Sequence, residues 1–161
     1  MSKRLAIRNG LIDEIREKLG GAHSSEFFTE LPEALVGEFK TFEELREFPY
    51  VAVNMGTETV EYQPSRQRWK WLNMTIFAYV KEHEDSKREV ELENLISDLE
   101  KIIDSHEKIR YTINKPDGSQ LEGHVIDRSI QSINTDEGLL APFGFAEISF
   151  IVRYTPDSRL L

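Results

Sequence analysis

The longest strand-like stretch of the chain, residues 68–81, alternates between two kinds of side chain. The first set is aliphatic: Leu72, Met74, Ile76, Ala78 and Val80. The second set is aromatic and polar: Trp71, Asn73, Thr75, Phe77 and Tyr79. Successive side chains of a strand point to opposite faces of a sheet, so the aliphatic set predicts a core face. The second set contains too many aromatic side chains for a face that is exposed to solvent. It therefore indicates an interface or a second packing layer.

An amphipathic helix is predicted after this strand, at about residues 87–105. Ser86-Lys87-Arg88-Glu89 has the spacing of a capping box. Apolar residues follow at helical spacing: Leu92, Leu95, Ile96, Leu99, Ile102 and Ile103. This stripe can lie flat on a sheet, so the acidic residues of the helix should point away from the sheet. Leu95, Leu99 and Ile102 are expected to be buried together with Ile76 and Ile148.

The first half of the chain predicts another helix and an aromatic-rich connector. Residues 3–19 place Leu5, Ile12, Ile15 and Leu19 on one helical face, although Asn9-Gly10 costs about 1 kcal/mol of helix propensity. Residues 22–48 have poor periodicity but contain five phenylalanines, which indicates loops packed on a core or a partner. They hold the phenylalanines Phe27, Phe28, Phe39, Phe42 and Phe48.

Further strands complete the predicted fold. Pro49 opens a strand over residues 50–54, which Met55-Gly56 is expected to end. Residues 109–121 indicate a hairpin about a Pro-Asp-Gly turn, and residues 144–154 a last strand. A strand over 125–134 should place four side chains on one side: Ile126, Arg128, Ile130 and Ser132.

We therefore predict an α+β fold, a two-layer sandwich of a mixed, mostly antiparallel sheet with an amphipathic helix on one face. An additional N-terminal helix is expected. The 161 residues should form one domain, with the N-terminal helix at 1–20, the connector at 22–48, and the sheet and main helix at 49–154.

The composition limits the classes of function. No apolar run approaches the roughly 18 to 20 residues of a membrane span, and the first residues lack the apolar region of a signal peptide. The chain has no cysteine, which excludes disulfides, thiolate nucleophiles and cysteine-dependent zinc sites.

Motifs for chemistry are absent or poorly arranged. The pairs of His23 with Glu26 and of His83 with Glu82 are explained better by exposed turns than by metal half-sites. The run Asp98-Leu99-Glu100-Lys101 resembles the order found in some metal-dependent nucleases, but a helix separates the two acids by about 200°. No nucleophile elbow or phosphate-binding loop is present. The sequence predicts no enzyme, no cofactor and no metal.

Charge is unevenly distributed. The net charge is −9, and residues 82–107 carry ten acidic and three basic residues. This excess of acidic residues argues against a protein that binds DNA through its phosphates. We predict an acidic surface on the main helix, formed by Glu89, Glu93, Asp98, Glu100 and Asp104.

One basic strip contrasts with this acidity. In an extended chain Arg66, Arg68 and Lys70 lie on one face, and Trp69 and Trp71 on the other. It is either a subunit contact with an acidic neighbour or a charged edge strand that resists aggregation. The predicted subunit interface comprises Arg66, Arg68, Lys70, Trp69, Trp71, Phe77 and Tyr79.

The order of these segments resembles the bacteriophage tail terminator family. An amphipathic helix from Leu5 to Leu19 leads to the proline-initiated strand Phe48-Pro49-Tyr50-Val51-Ala52-Val53. The long strand Trp71 to Val80, the helix Leu92 to Ile103 and the final strand Phe145 to Tyr154 follow. The resemblance spans nearly the whole chain.

This resemblance implies a structural protein of the virion, at the neck end of the tail and assembled in the host cytoplasm. Such a protein forms a homo-oligomeric ring, usually a hexamer, that caps the tail tube, ends tail elongation and joins the head connector. DNA passes through the ring without specific binding, and no enzyme activity, cofactor or membrane is involved. Two alternatives stay open: another neck or tail tube subunit, and a small metal- or nucleotide-dependent enzyme domain.

Overall fold

A computed structural model describes residues 2–20, 26–64, 68–105, 109–125 and 127–155. Within these ranges it contains two α-helices, a short 3-10 turn at Glu33–Leu35, and seven strands. The helices are α1 (Lys3–Leu19) and α2 (Asp85–Ile103). The strands are β1 (Val36–Gly37), β2 (Tyr50–Tyr62), β3 (Arg68–Lys81), β4 (Arg110–Asn114), β5 (Gln120–His124), β6 (Asp127–Thr135) and β7 (Phe143–Tyr154).

Five of the strands form one mixed sheet in the order β1-β2-β3-β7-β6. Strand β1 pairs with β2 in parallel, and the other neighbours are antiparallel. The aliphatic residues of β3 pack in one cluster with apolar residues of α1 and α2. We call this side of the sheet the helical face and the opposite side the back face. The predicted α+β class, with one helix on the sheet and a further N-terminal helix, is confirmed.

The predicted core is also confirmed. Leu95, Leu99, Ile102, Ile76 and Ile148 each have 0% of their surface exposed. Full burial removes each of these aliphatic side chains from water, which is worth about 1.5 to 3 kcal/mol per residue.

Helix α1 has the predicted bounds, and the Ser2 hydroxyl oxygen accepts a hydrogen bond of 3.2 Å from the backbone N–H of Leu5. The helix continues through Gly10, where the lack of a side chain allows close packing. A Cβ at Gly10 would lie 2.1 Å from the carbonyl oxygen of Arg110, so glycine allows strand β4 to contact the helix. Strands β4 and β5 form the predicted hairpin, as a separate two-stranded sheet.

The predicted start of α2 was wrong. The helix begins at Asp85, so Ser86 lies inside it and its hydroxyl donates to the Glu84 carboxylate at 3.2 Å instead of capping. Asp85 lies in the first turn, where the helix dipole favours an acid, and pairs with Arg88 at 2.6 Å. The helix ends at Ile103 rather than at residue 105.

Strand β2 does not end at Met55-Gly56. It continues to Tyr62 along β3, with a register irregularity between Met55 and Glu58 that takes up the extra residues. At this irregularity the Asn73 side chain donates to the Thr57 carbonyl oxygen at 2.9 Å. The polar segment is therefore one arm of a long β2–β3 hairpin.

The prediction for β6 failed at Ser132. A register irregularity between Ile130 and Ser132 reverses the alternation, because a bulge places two residues opposite one. Ser132 is exposed, and Ile133 packs with Ile130 against the core in its place. Ile126 lies outside the described residues.

The connector covers part of the back face. Leu45, Tyr50, Ala52 and Tyr79 form a second buried cluster. Partly buried aromatics pack against it: Phe42, Phe48, Phe77 and Phe145. The expectation that the connector's aromatics pack on a core is confirmed for Phe42 and Phe48, whereas Phe28 is 74% exposed.

Candidate subunit interface

Two tryptophans and one arginine make a stack on the half of the back face that the described part of the connector does not cover, which we call the uncovered half. Trp69 and Trp71 of β3 lie on this face, and Arg153 of the adjoining strand β7 pairs in register with Trp71. The Arg153 guanidinium carbon lies 4.7 Å from the Trp69 ring centroid and 5.5 Å from that of Trp71. These distances are within the range of cation–π attraction. We call these three residues the tryptophan–arginine stack.

Arg153 brings a positive charge that no acidic group of the described residues neutralises. Its Nε atom is buried without a hydrogen-bond partner, and among the described residues no carboxylate lies within 4.0 Å of its guanidinium. Asp127 is opposite Arg153 in the register, but its carboxylate accepts a hydrogen bond from the Arg128 backbone N–H at 2.9 Å. The stack therefore presents an oriented cation with unused donors.

The cations of the basic strip differ in whether they have a partner within the subunit. Lys70 lies on the helical face and pairs with Glu58 at 3.6 Å. Glu58 also accepts a hydrogen bond from the Tyr154 hydroxyl. Arg68 is half-buried at the first position of β3, and Arg66 lies outside the described residues. Lys70 thus serves the fold, which leaves Arg68 as the described cation of the strip with no carboxylate within 4.0 Å.

The edge-strand interpretation of the strip was wrong. Lys70 and Trp71 lie in a central strand, with β2 on one side and β7 on the other. A central strand has no free backbone edge to protect with charge, so the half-buried side chains of the strip need another explanation.

Tyr79 does not belong to an exposed surface. Only 1% of Tyr79 is exposed, because the connector covers it: the Phe42 and Tyr79 ring centroids lie 5.2 Å apart. Burial raises the pKa of the Tyr79 hydroxyl from 10.0 to about 12, with smaller contributions from Tyr50 and Glu147. Phe77 is half-buried, with the Phe39 ring at 5.2 Å. These two aromatics belong to the packing layer, while Trp69 and Trp71 stay on the uncovered half.

Four of the five acids predicted for the surface of α2 are exposed or half-buried, and one is buried. Glu89, Glu93 and Asp104 are exposed and Glu100 is half-buried. Asp98 is only 2% exposed, because its two carboxylate oxygens accept hydrogen bonds from the backbone of the connector. Asp98 therefore attaches the connector to α2 and contributes nothing to an acidic surface.

Sequence patterns did not single out the loop between β6 and β7, which presents two leucines to solvent. Leu139 is 83% exposed and Leu140 41% exposed, in the turn between β6 and β7. We call residues 136–142 the leucine loop. Arg153 was also missed, although its position on a strand face opposite the core could have suggested a surface role.

The described residues hold no group of three or more histidine, aspartate or glutamate side chains arranged to bind a metal ion. His83 and His124 are exposed, and His23 and His106 lie outside the described ranges. A groove of about 1090 Å³ runs between α1 and the β4–β5 hairpin, remote in the fold from the stack. No helix within the described ranges is long and apolar enough to cross a membrane.

Comparison with known proteins identifies the family. A family model described as Bacteriophage Tail Tube Terminator Protein matches residues 1–161. The chain is also 42% identical over 161 residues to the protein named tail tube terminator protein p142 of Escherichia phage T5. That alignment covers 100% of this chain and 99% of the phage T5 protein. The chain therefore belongs to the bacteriophage tail tube terminator family, whose members are structural components of the virion tail.

Proposed function

We propose that this chain assembles into a homo-oligomeric ring, a hexamer, that caps the tail tube. The ring binds the last ring of tail tube protein, stops elongation, and then provides the surface that joins the head connector. The observation that carries this proposal is the uncovered half of the back face, where the tryptophan–arginine stack is held in place without a partner.

The distribution of charge supports a ring with two different contact surfaces. A closed ring requires a patch on one side of each subunit that fits another patch on the next subunit. The stack supplies a cationic aromatic patch, and the exposed acids of α2 and its surroundings supply negative surface. Tryptophan and arginine are the residue types that contribute most to protein interfaces.

The net charge of −9 also fits a ring through which DNA passes without specific binding. Acidic groups facing a lumen repel phosphates within about a Debye length, 8 to 10 Å at physiological salt. No enzymatic step is required for capping, joining or passage.

The experiment is to measure the mass of the purified protein by light scattering at physiological salt, alone and with tail tube protein. We expect closed rings of uniform size, and short capped tubes when the tail tube protein is present. A protein that stays monomeric under both conditions would contradict the proposal. Long tubes formed by this chain alone would instead favour the alternative of a tail tube or neck subunit.

A further inference from the structure

We propose that the leucine loop of one copy docks on the tryptophan–arginine stack of a second copy, with Leu139 against the tryptophans and Glu137 paired with Arg153. This inference rests on the proposed function, because it names the two surfaces that would meet in the ring. The occupant of the stack is therefore another copy of this chain.

The leucine loop is built to hold its leucines outward. The Asp136 carboxylate accepts hydrogen bonds from the N–H groups of Leu140 and Phe145, both at 3.2 Å. The Leu139 N–H donates to the Asp136 carbonyl oxygen at 3.0 Å, and the Phe143 N–H donates to that of Leu140 at 2.8 Å. Because these bonds already order the loop, little conformational entropy remains to be lost when it binds.

Exposure of both leucines is unfavourable for an isolated subunit. Burial of these side chains would remove apolar surface from water, which is favourable. A tight polar turn would connect β6 and β7 without exposing any apolar side chain. The leucine loop instead has seven residues, and Glu137 and Gly138 in it adopt positive φ angles of 56° and 80°. An ordered apolar projection of this kind indicates a contact with another molecule.

The charges around the two surfaces are complementary. Acids outnumber bases around the leucine loop: Asp136 and Glu137 lie within it, and Glu89 and Glu93 lie across a small cavity of about 380 Å³, where Arg88 is paired with Asp85. The stack carries the positive charge of Arg153. A leucine side chain can contact the tryptophan rings while Glu137 supplies the carboxylate that Arg153 lacks.

The two surfaces cannot meet within one subunit. Strand β7 begins beside the leucine loop at Phe143 and reaches Arg153 near its other end. Ten residues of strand separate them, a distance of about 33 Å. The contact must therefore join different copies, and because it uses two different patches it is of the kind that closes rings.

Charge reversal tests the contact. We expect Glu137→Arg and Arg153→Glu each to weaken self-assembly at least tenfold, measured by light scattering, and the double variant to recover most of it. Glu122→Arg and Arg110→Glu, at exposed positions of the β4–β5 hairpin, are matched controls that should assemble normally. Leu139→Ser should weaken assembly, whereas Val90→Ser, at an exposed valine of α2, should not. Circular dichroism checks that each variant is folded.

Cross-linking tests proximity without altering the stack. The chain has no cysteine, so Thr59→Cys and Glu137→Cys introduce unique thiols. Thr59 is exposed and pairs with Trp71, about two strand spacings or 10 Å from Arg153. In a mixture of the two variants, a bismaleimide that spans about 10 Å should cross-link one chain to another. It should give no cross-linked product with either variant alone. Glu122→Cys replaces Glu137→Cys in the control mixture and should give no product.

The outcomes separate the two proposals. Rings that form normally in Glu137→Arg, Arg153→Glu and Leu139→Ser, without cross-linking of the mixture, would overturn this inference and leave the ring intact. Variants that form rings but no longer cap tubes would likewise overturn it, because the loop would then bind the tail tube. Failure of the native chain to assemble would overturn both proposals.

Discussion

Asp98 attaches the connector to helix α2 through a pair of charge-assisted hydrogen bonds. Its carboxylate oxygens accept from the backbone N–H groups of Phe28 at 3.0 Å and Thr29 at 2.7 Å. A buried carboxylate is stable only when such donors replace the water it loses. Lys101 reinforces the attachment by donating to the Glu26 carbonyl oxygen at 3.0 Å.

We expect Asp98→Ala to lower the free energy of unfolding by about 2 to 4 kcal/mol, because it removes two charge-assisted hydrogen bonds and leaves two N–H groups without partners. Urea denaturation measures the change. Glu93→Ala, at an exposed acid of the same helix, should stay within about 0.5 kcal/mol of the native chain. Equal effects of the two substitutions would show that the connector does not depend on Asp98.

Tyr79 makes the fold sensitive to alkaline pH. Its pKa is raised by burial to about 12, whereas the unfolded chain ionises near 10.0. Its contribution to stability is therefore fully present below pH 10 and is lost as the pH rises from 10 to 12. Two pKa units correspond to roughly 2 to 3 kcal/mol. Burial also raises the pKa of Tyr154, so Tyr79 accounts for part of the alkaline loss.

We expect Tyr79→Phe to lose less stability than the native chain between pH 10 and pH 12, by roughly 2 to 3 kcal/mol. Phenylalanine retains the ring that packs against Phe42 and has no hydroxyl to ionise. Denaturant unfolding at several pH values measures the difference. Identical pH dependence in the two proteins would place the alkaline transition elsewhere.

At the scale of elements, α1 and β4 pack so closely that glycine is required between them. On helix propensity alone, Gly10→Ala would stabilise α1 by about 1 kcal/mol. The added Cβ would lie 2.1 Å from the Arg110 carbonyl oxygen, so helix and strand would have to separate. The steric effect outweighs propensity, since the contact is to backbone and cannot be relieved by a change of rotamer.

Gly10→Ala should therefore lower the free energy of unfolding by about 1 to 3 kcal/mol, as overpacking does elsewhere. Thermal unfolding measures this loss. Asp13→Ala, at an exposed position of the same helix, tests propensity without the clash and should be neutral or slightly stabilising. A more stable Gly10→Ala variant would mean that the hairpin moves away from α1 at little cost.

Elements with a strong period were predictable from sequence. The stripe of α2 and the alternation of β3 and β7 depend on residues close in the chain, and they identified the core correctly. The bulges of β2 and β6 were not predictable, because the pairing with the neighbouring strand decides which residue is left without a partner. Ser132 and Ile133 exchange faces for this reason.

The candidate interface was predicted in part for the same physical reason. Trp69 and Trp71 were selected from local alternation, which fixes their face of the strand. Arg153 was missed because its place between them follows from the β3–β7 register, a long-range property. Tyr79 was assigned to the surface because nothing local shows that the connector covers that end of the sheet.

At the scale of the whole molecule, assembly brings together copies that each carry a net charge of −9. Repulsion between them grows as the ring closes, unless cations meet acids at each contact. An exposed ion pair contributes only about 0.2 to 1 kcal/mol, but a ring repeats it at every interface. Lys70 is held by Glu58 within the subunit, so Arg66 and Arg68 are the strip residues for this role.

The double variant Arg66→Glu/Arg68→Glu, with a net charge of −13 per copy, should remain folded but fail to form rings at low salt. Light scattering measures the assembly. Raising the ionic strength should partly restore it, because the Debye length falls from about 10 Å at 0.1 M to about 3 Å at 1 M salt.

The control variant Arg46→Glu/Arg110→Glu makes the same change in net charge at exposed positions outside the strip. It should assemble more readily than the strip variant at every salt concentration. If the two double variants assemble alike, overall repulsion governs assembly and the strip is a solvated surface. If only the strip variant fails, the position of the charge governs assembly, and the basic strip is part of the subunit contact.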